Sequence, residues 1–265
     1  MGTYVMSDIH GHLDDFQKML DKIEFSGRDQ LYLAGDYIDR GEQNIEMLRW
    51  LQSKPKNVTA IKGNHDVEFC AYIDMMKQVD ESEGLYTDYD DPHDTELLYH
   101  STVYALDRVN PLKSLYFDHY RTVHGMVESG ETSFSEMLQW RGMLGKYPYY
   151  IKKRFGRKLY VIVHAGYCED ITHIPTDLES EEEFYIYARE EGLAGGIKNG
   201  TVIFGHTPTV FEDTPFYAGG RIFRYHDEEK NCTFFDIDGG CAYRGYKRGS
   251  RLVCLRLEDE SVFYV

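Results

Sequence analysis

Tyr32-Leu33-Ala34-Gly35-Asp36-Tyr37-Ile38-Asp39-Arg40-Gly41 is the stretch whose reading decides the fold. An apolar run from Leu31 to Ala34 stops at Gly35-Asp36, and Asp39-Arg40-Gly41 follows three residues later. A buried strand that ends in a carboxylate puts that charge at the C-terminal edge of a sheet, where open α/β sheets collect ligands. Asp36 alone carries little weight, because turns are rich in Asp. Its meaning comes from other strand-like runs that end the same way.

There are four of these, and each is short, β-branched-rich and closed by a polar residue near a glycine. Tyr4-Val-Met-Ser runs into Asp8-Ile-His10, and Val58-Thr-Ala-Ile-Lys-Gly into Asn64-His65-Asp66. Leu159-Tyr-Val-Ile-Val runs into His164-Ala-Gly166, and Thr201-Val-Ile-Phe-Gly into His206-Thr207. Helical periodicity fills the gaps. Asp14 and Asp15 open a helix with Phe16, Met19, Leu20 and Ile23 on one face; Gln43 to Leu51 and residues 66–79 form two more. Strand–helix alternation predicts right-handed crossovers and a largely parallel sheet.

From Asp80 to about Arg157 that rhythm breaks. Asp80 to Glu96 lacks Lys and Arg and reads as an acidic loop; helical stretches follow around Glu96–Arg108 and Phe134–Leu144. We read residues 80–157 as a helical insertion within one domain spanning 1–265. Toward the C-terminus, Arg221–Tyr225, Cys232–Ile237, Leu252–Leu257 and Ser261–Val265 read as short strands of an antiparallel second sheet. The fold class expected is α/β, a four-layer α/β/β/α sandwich.

Composition narrows the function. At 265 residues the chain is long enough for a full core, and no apolar run could span a bilayer. A net charge of −16 disfavours nucleic acid, whose phosphates need Lys and Arg. The five cysteines are scattered and form no CxxC pair, which fits reduced thiols. With no secretory signal evident at the N-terminus, a cytoplasmic location without membrane partners is expected.

The strand ends Asp8, His10, Asp36, Asn64, His164 and His206 offer oxygen and imidazole ligands without a thiolate. That mixture suits Mn, Fe, Co, Ni or Zn rather than Ca. In Asp8-Ile-His10 the alternate positions share one face of an extended chain, so both side chains can grip one ion. Taken singly, each is equally a turn residue or a capping histidine. The number of them at strand ends is what points to a metal site.

These blocks resemble the calcineurin-like metallophosphoesterases: Asp8-Ile-His10-Gly11, Gly35-Asp36-Tyr-Ile-Asp39-Arg40-Gly41, Gly63-Asn64-His65-Asp66, His164-Ala-Gly166 and Gly205-His206-Thr207. Asp39-Arg40-Gly41 is similar to the phosphoprotein phosphatase branch, which includes bacterial serine/threonine phosphatases and symmetric diadenosine tetraphosphatases. Tyr187-Ala-Arg189-Glu-Glu191 resembles that branch's Trp-x-Arg-Glu-Glu stretch, and Asp236-Ile-Asp-Gly-Gly-Cys241 its closing Asp-Thr-Gly-Cys. The resemblance implies two divalent metal ions, manganese first, with Fe, Zn, Co or Ni as alternatives. Asp8, His10 and Asp36 would hold one, and Asp36, Asn64, His164 and His206 the other, with a bridging hydroxide as nucleophile. His65 would be the general acid, oriented by Asp39. Arg40, Arg189 and Asn64 would bind the substrate phosphate, the arginines through their fork of donors.

Pro208 stands where phosphodiesterase-type relatives carry a second histidine, so phosphomonoesters or phosphoanhydrides are expected rather than diesters. The implied activity is a phosphoserine/phosphothreonine protein phosphatase acting on a phosphorylated protein or a small phosphate ester. The alternative is a symmetric bis(5'-nucleosyl)-tetraphosphatase, and behind both stands a non-catalytic metal- and phosphate-binding module. The remaining histidines have no motif context. Trp50 and Trp140 read as core, and Glu179–Glu183 as an acidic helix start.

Overall fold

The computed structural model describes residues 1–85, 87–109 and 118–265. The parts of the expected insertion at 86 and 110–117 lie outside the described residues.

Crossovers through α1 (Leu13–Lys22) and α2 (Asn44–Ser53) make β1 (Thr3–Met6), β2 (Gln30–Leu33) and β3 (Val58–Ala60) parallel. Two strands from the end of the chain, β9 (Val253–Arg256) and β10 (Val262–Tyr264), extend that sheet antiparallel on the free side of β1. In the second sheet β5 (Lys158–Val163), β6 (Gly200–Phe204) and β8 (Cys232–Asp236) are parallel. Its antiparallel edges are β4 (Tyr150–Phe155) and β7 (Phe223–Asp227). Each sheet has five strands, in the orders β10-β9-β1-β2-β3 and β4-β5-β6-β8-β7.

Period-2 alternation stacks the sheets. Val5, Tyr32, Val253 and Leu255 of the first sheet meet Tyr160, Ile162, Ile203 and Phe235 of the second in one buried core. Their neighbours Met6, Leu31, Leu33 and Cys254 point outward and pack against Phe16, Met19, Leu48 and Phe69 of the helices. On the other outer face Val161, Val163, Val202 and Phe234 pack against Phe184 and Ile186 of α7 (Glu181–Tyr187). The chain is the α/β/β/α sandwich that the sequence predicts. Ser180 caps α7, accepting the Glu183 N–H at 3.1 Å, and the acidic first turn faces the positive end of the helix.

The tail departs from expectation. Its two hairpins do not form one sheet: β7–β8 completes the second sheet, while β9–β10 completes the first. Alternation tells which face of a strand is buried, and both hairpins bury theirs in the same intersheet core, so the pattern could not assign them. Strand β4, inside the expected insertion, also belongs to the second sheet. The acidic loop is shorter than read, because α3 (Asn64–Glu83) runs on and α4 starts early (Pro92–Val109). A further helix, α5 (Asp118–Ser129), precedes α6 (Phe134–Leu144); its Val123, Met126 and Val127 are buried, too few among polar neighbours to have been singled out. Met137 and the fully buried Trp140 of α6 join the core of Phe69, Ile73 and Met76 on α3. Arg141 pairs with Asp74 of α3 at 2.8 and 2.6 Å, and Arg49 of α2 with Glu136 of α6 at 2.9 Å twice. Among the described residues no helix is long and apolar enough to cross a membrane.

Candidate active site

Parallel strands present their C-terminal ends together, so the loops after β1, β2, β3, β5 and β6 gather at one edge of both sheets. The backbone there is unusual. Asp8, His10, Asp36, Asp39, Arg40 and His206 have φ between 48° and 72°, and among the described residues they are six of the ten non-glycine positions with positive φ. Such conformations cost of order 1–3 kcal/mol each and persist where the surroundings over-determine them. Two glycines are required by close approach: a Cβ on Gly63 would lie 2.1 Å from Asp36 Oδ1, and one on Gly205 2.0 Å from Asp8 Oδ2. Asp66, to which the sequence reading gave no role, fastens the loops. Its buried carboxylate accepts the N–H groups of Gly63 at 2.8 Å, Asp36 at 3.0 Å and Tyr37 at 3.3 Å. Its signal was already in the chain, as the last residue of Gly63-Asn64-His65-Asp66.

Asp36 is the centre. Its Oδ2 lies 3.3 Å from His164 Nε2, 3.5 Å from His10 Nε2 and 3.9 Å from His65 Nε2. Nδ1 of His10 meets the Ile38 carbonyl at 2.9 Å, and Nδ1 of His164 the Ala34 carbonyl at 2.8 Å. A carbonyl only accepts, so each Nδ1 carries a proton and Nε2 is the ring atom turned toward Asp36. Asn64 Oδ1 stands 3.1 Å from His164 Nε2 and 3.0 Å from His206 Nδ1. Asp8 Oδ1 is 3.9 Å from His10 Nε2, and its carboxylate accepts the His206 N–H at 3.2 and 3.1 Å. Buried acceptors that face one another need a proton or a cation between them.

The electrostatics carry the same message. Burial raises Asp8 to about 6, with the charge of Asp36 adding to it. Burial opposes ionisation of Asp36 as well, but the imidazoles of His164, His65 and His10 hold it well below the usual carboxylate range. For His164 burial pulls down, yet Asp36 and Asp8 lift it to about 10. His10 and His206 are held well below the ordinary value by burial, then by their imidazole neighbours. A divalent cation on Asp36 would do the work that a proton on His164 otherwise does. Ligand atoms of His10, Asp36 and His65 lie within 4.8 Å of one another, as do those of Asp36, His164 and His206. Two groups that share one carboxylate fit a pair of divalent cations. His65, read from the sequence as an acid, falls geometrically within the first group.

His65 Nδ1 contacts Asp39 Oδ2 at 2.6 Å, and its Nε2 lies 3.2 Å from Arg40 Nη2. Burial lowers its pKa, but Asp36 and Asp39 outweigh burial and raise it to about 9. Arg40, His65, Arg189, His206, Phe211 and Tyr243 line a cleft of about 260 Å³ together with Asp36 and Asn64. Arg40 Nη1 donates to the Tyr243 hydroxyl at 3.2 Å with its guanidinium 5.3 Å from the ring, and Arg189 Nη1 donates to Thr207 Oγ1 at 3.3 Å. The structure therefore brings together Asp8, His10, Asp36, Asp39, Arg40, Asn64, His65, His164, Arg189 and His206. Tyr243, the last residue of a short 3-10 turn (Cys241–Tyr243), was missed, because a single tyrosine there has no motif of its own. Lys152 and Lys153 sit away from the cleft on the edge strand β4, where Lys152 pairs with Glu169 and Lys153 with the Tyr32 hydroxyl at 3.2 Å.

The sequence profile of the calcineurin-like phosphoesterases matches residues 1–210. The chain belongs to that family. The family is one of phosphoesterases. Among curated relatives of this calcineurin-like phosphoesterase, the symmetrical bis(5'-nucleosyl)-tetraphosphatase of Haemophilus ducreyi is 36% identical over 98 residues, covering 37% of this chain and 36% of that protein. The protein of the same name from Actinobacillus succinogenes is 26% identical over 288 residues, covering 99% of this chain and 96% of its own. A crystal structure of a metallophosphoesterase from Sphaerobacter thermophilus superposes with a TM-score of 0.51 at 12% identity, covering 100% of this chain and 86% of that one. That likeness bears on the fold alone.

Proposed function

We propose that the chain hydrolyses phosphoanhydrides of the dinucleoside polyphosphate type, cleaving a tetraphosphate bridge at its centre. One water is consumed, the central P–O bond breaks, and two nucleoside diphosphates result. The observation that carries this reading is the alignment along 99% of the chain with a symmetrical bis(5'-nucleosyl)-tetraphosphatase. It displaces the phosphoserine/phosphothreonine reading from first place; Pro208 is compatible with either substrate.

On this reading Asp8, His10 and Asp36 would hold one divalent cation, and Asp36, Asn64, His164 and His206 a second, drawn from Mn, Fe, Co, Ni or Zn. Bound there, the cations supply the Lewis acidity that polarises a phosphoryl group and makes water a competent nucleophile near neutral pH. The protein's own side chains do the rest. Arg40 and Arg189, both on the cleft wall, grip the non-bridging oxygens through paired N–H donors and neutralise charge that builds during displacement. Asn64, on the same wall, donates its amide N–H to the phosphate if its oxygen faces the metal. His65 delivers a proton from Nε2 to the departing oxygen, and Asp39, 2.6 Å from Nδ1, fixes the ring's tautomer and tilt.

The test is parallel turnover by the manganese-loaded protein of diadenosine tetraphosphate and a phosphoserine peptide. Faster turnover of the dinucleotide, with ADP as sole product, supports the proposal. Turnover of the peptide alone refutes it.

A further inference from the structure

The wall of the cleft does not end at Arg40. Arg40 and Tyr243 also line a second hollow of about 450 Å³, with Arg121 and Thr122 of α5, Asn44 of α2, and Tyr246. That volume falls in the range of small-molecule sites, roughly 300–1,000 Å³. Among the described residues no carboxylate lines it, although the chain as a whole carries a net charge of −16. The stretch that supplies one side, Tyr243–Arg251, contains no acidic residue, and its Arg244 pairs with Asp15 of α1 at 2.9 Å. Past Arg121 the character reverses. The next hollow shares Gly41, Asn44, Arg121 and Thr122 but brings in Glu42, Glu46 and Glu131. A polyanion entering from the metal cluster thus meets two guanidiniums and then a carboxylate barrier, so its far end must be uncharged. Tyr246, 91% exposed, lines the same hollow as Arg40 and Arg121, on the side that it shares with a neighbouring hollow of Asp14, Glu42 and Arg244. An aromatic ring left in water beside a cationic hollow is the stacking surface a base or other flat ring takes.

We propose that this hollow is a nucleotide subsite: Arg40 and Arg121 hold the phosphates of the nucleoside diphosphate that departs, and Tyr246 stacks on its base. The proposal rests on the phosphoanhydride reading of the neighbouring cleft and supplies the residues that would select such a substrate over a simple phosphate ester.

The experiment uses the full-length, manganese-loaded protein and the variants Tyr246→Ala, Tyr246→Phe and Arg121→Gln, with melting temperatures confirming that each is folded. KM for diadenosine tetraphosphate should rise about tenfold in Tyr246→Ala and in Arg121→Gln, since a stacked base contributes on that scale. Tyr246→Phe, which keeps the ring, should stay near wild type. Turnover of p-nitrophenyl phosphate, which has no second phosphate or base, should change less than about twofold in all three. Inhibition by ADP should weaken in both disruptive variants, and inhibition by pyrophosphate only in Arg121→Gln. If wild type cleaves the dinucleotide and the variants match it, the subsite is refuted while the reading of the cleft stands. If wild type cleaves only p-nitrophenyl phosphate, the anhydride reading falls, and ADP inhibition then decides: weaker in Tyr246→Ala supports the subsite, unchanged overturns it.

Discussion

His65→Ala separates an acid from a ligand. The distinction is needed because His65 Nε2 lies 3.9 Å from Asp36 Oδ2 and 3.2 Å from Arg40 Nη2, close to both the proposed metal ligands and the proposed phosphate clamp. General acid catalysis is worth about 10²–10⁴ in rate, which corresponds to roughly 2.7–5.4 kcal/mol of barrier. How much of that is lost depends on the departing oxygen. A serine alkoxide is strongly basic and cannot leave without a proton, so a phosphoserine peptide should lose the whole factor. The diphosphate released from a dinucleoside tetraphosphate leaves through a phosphate oxygen whose pKa is about 6, and its loss should be about tenfold or less. p-Nitrophenyl phosphate should behave like the dinucleotide. A graded loss in kcat, measured at saturating manganese, identifies a proton donor; equal losses on all substrates would refute that role and make His65 a ligand or a structural residue. The truncation also strands Asp39, which is fully buried and whose Oδ2 sits 2.6 Å from His65 Nδ1. Breaking a buried charge pair costs about 3–5 kcal/mol. His65→Ala/Asp39→Asn should therefore regain most of the lost stability while activity stays low, so melting curves and rates part company.

Asp66→Ala leaves three buried N–H groups without an acceptor, and at about 1–3 kcal/mol each the loss should reach at least 3 kcal/mol in urea unfolding of metal-free protein. A loss below about 1 kcal/mol would show that the loops hold without the clamp. His206→Ala should bind about one cation fewer by elemental analysis, and chelation should abolish wild-type turnover until metal is restored. Burial pushes the thiols of Cys70 and Cys241 up to about 12 and that of Cys168 up to about 11. Thiolate is then scarce at pH 8, and a thiol reagent should react slowly with native protein and with all five cysteines once it is denatured.

The two regions of the site differ in how they can be read from a chain. A metal pair needs oxygen and imidazole atoms on strands that stop abruptly, so Asp8-Ile-His10, Gly35-Asp36 and Gly205-His206 advertise themselves by atom type, by the apolar run before them and by the glycine beside them. Gly63 and Gly205 are explained only by the fold, since each admits a carboxylate to within about 2 Å of where a Cβ would be. The sandwich was legible for a similar reason: period-2 alternation is a property of each strand by itself. Assignment of a strand to a sheet is not, and the tail hairpins parted on that point.

The hollow beside Arg40 is built from the most ordinary surface residues, arginine, tyrosine, asparagine and threonine, drawn from α2, α5 and the loop after Cys241. No spacing marks them, because what they share is a place in three dimensions and a missing negative charge. This division has a consequence for specificity. On the proposed reading the ligand blocks would set the chemistry and could stay constant while α5 and residues 243–251 change the leaving group that is accepted. Exchanging Tyr246 and Arg121 should therefore alter which phosphate compound is cleaved without altering how the cleft handles phosphorus.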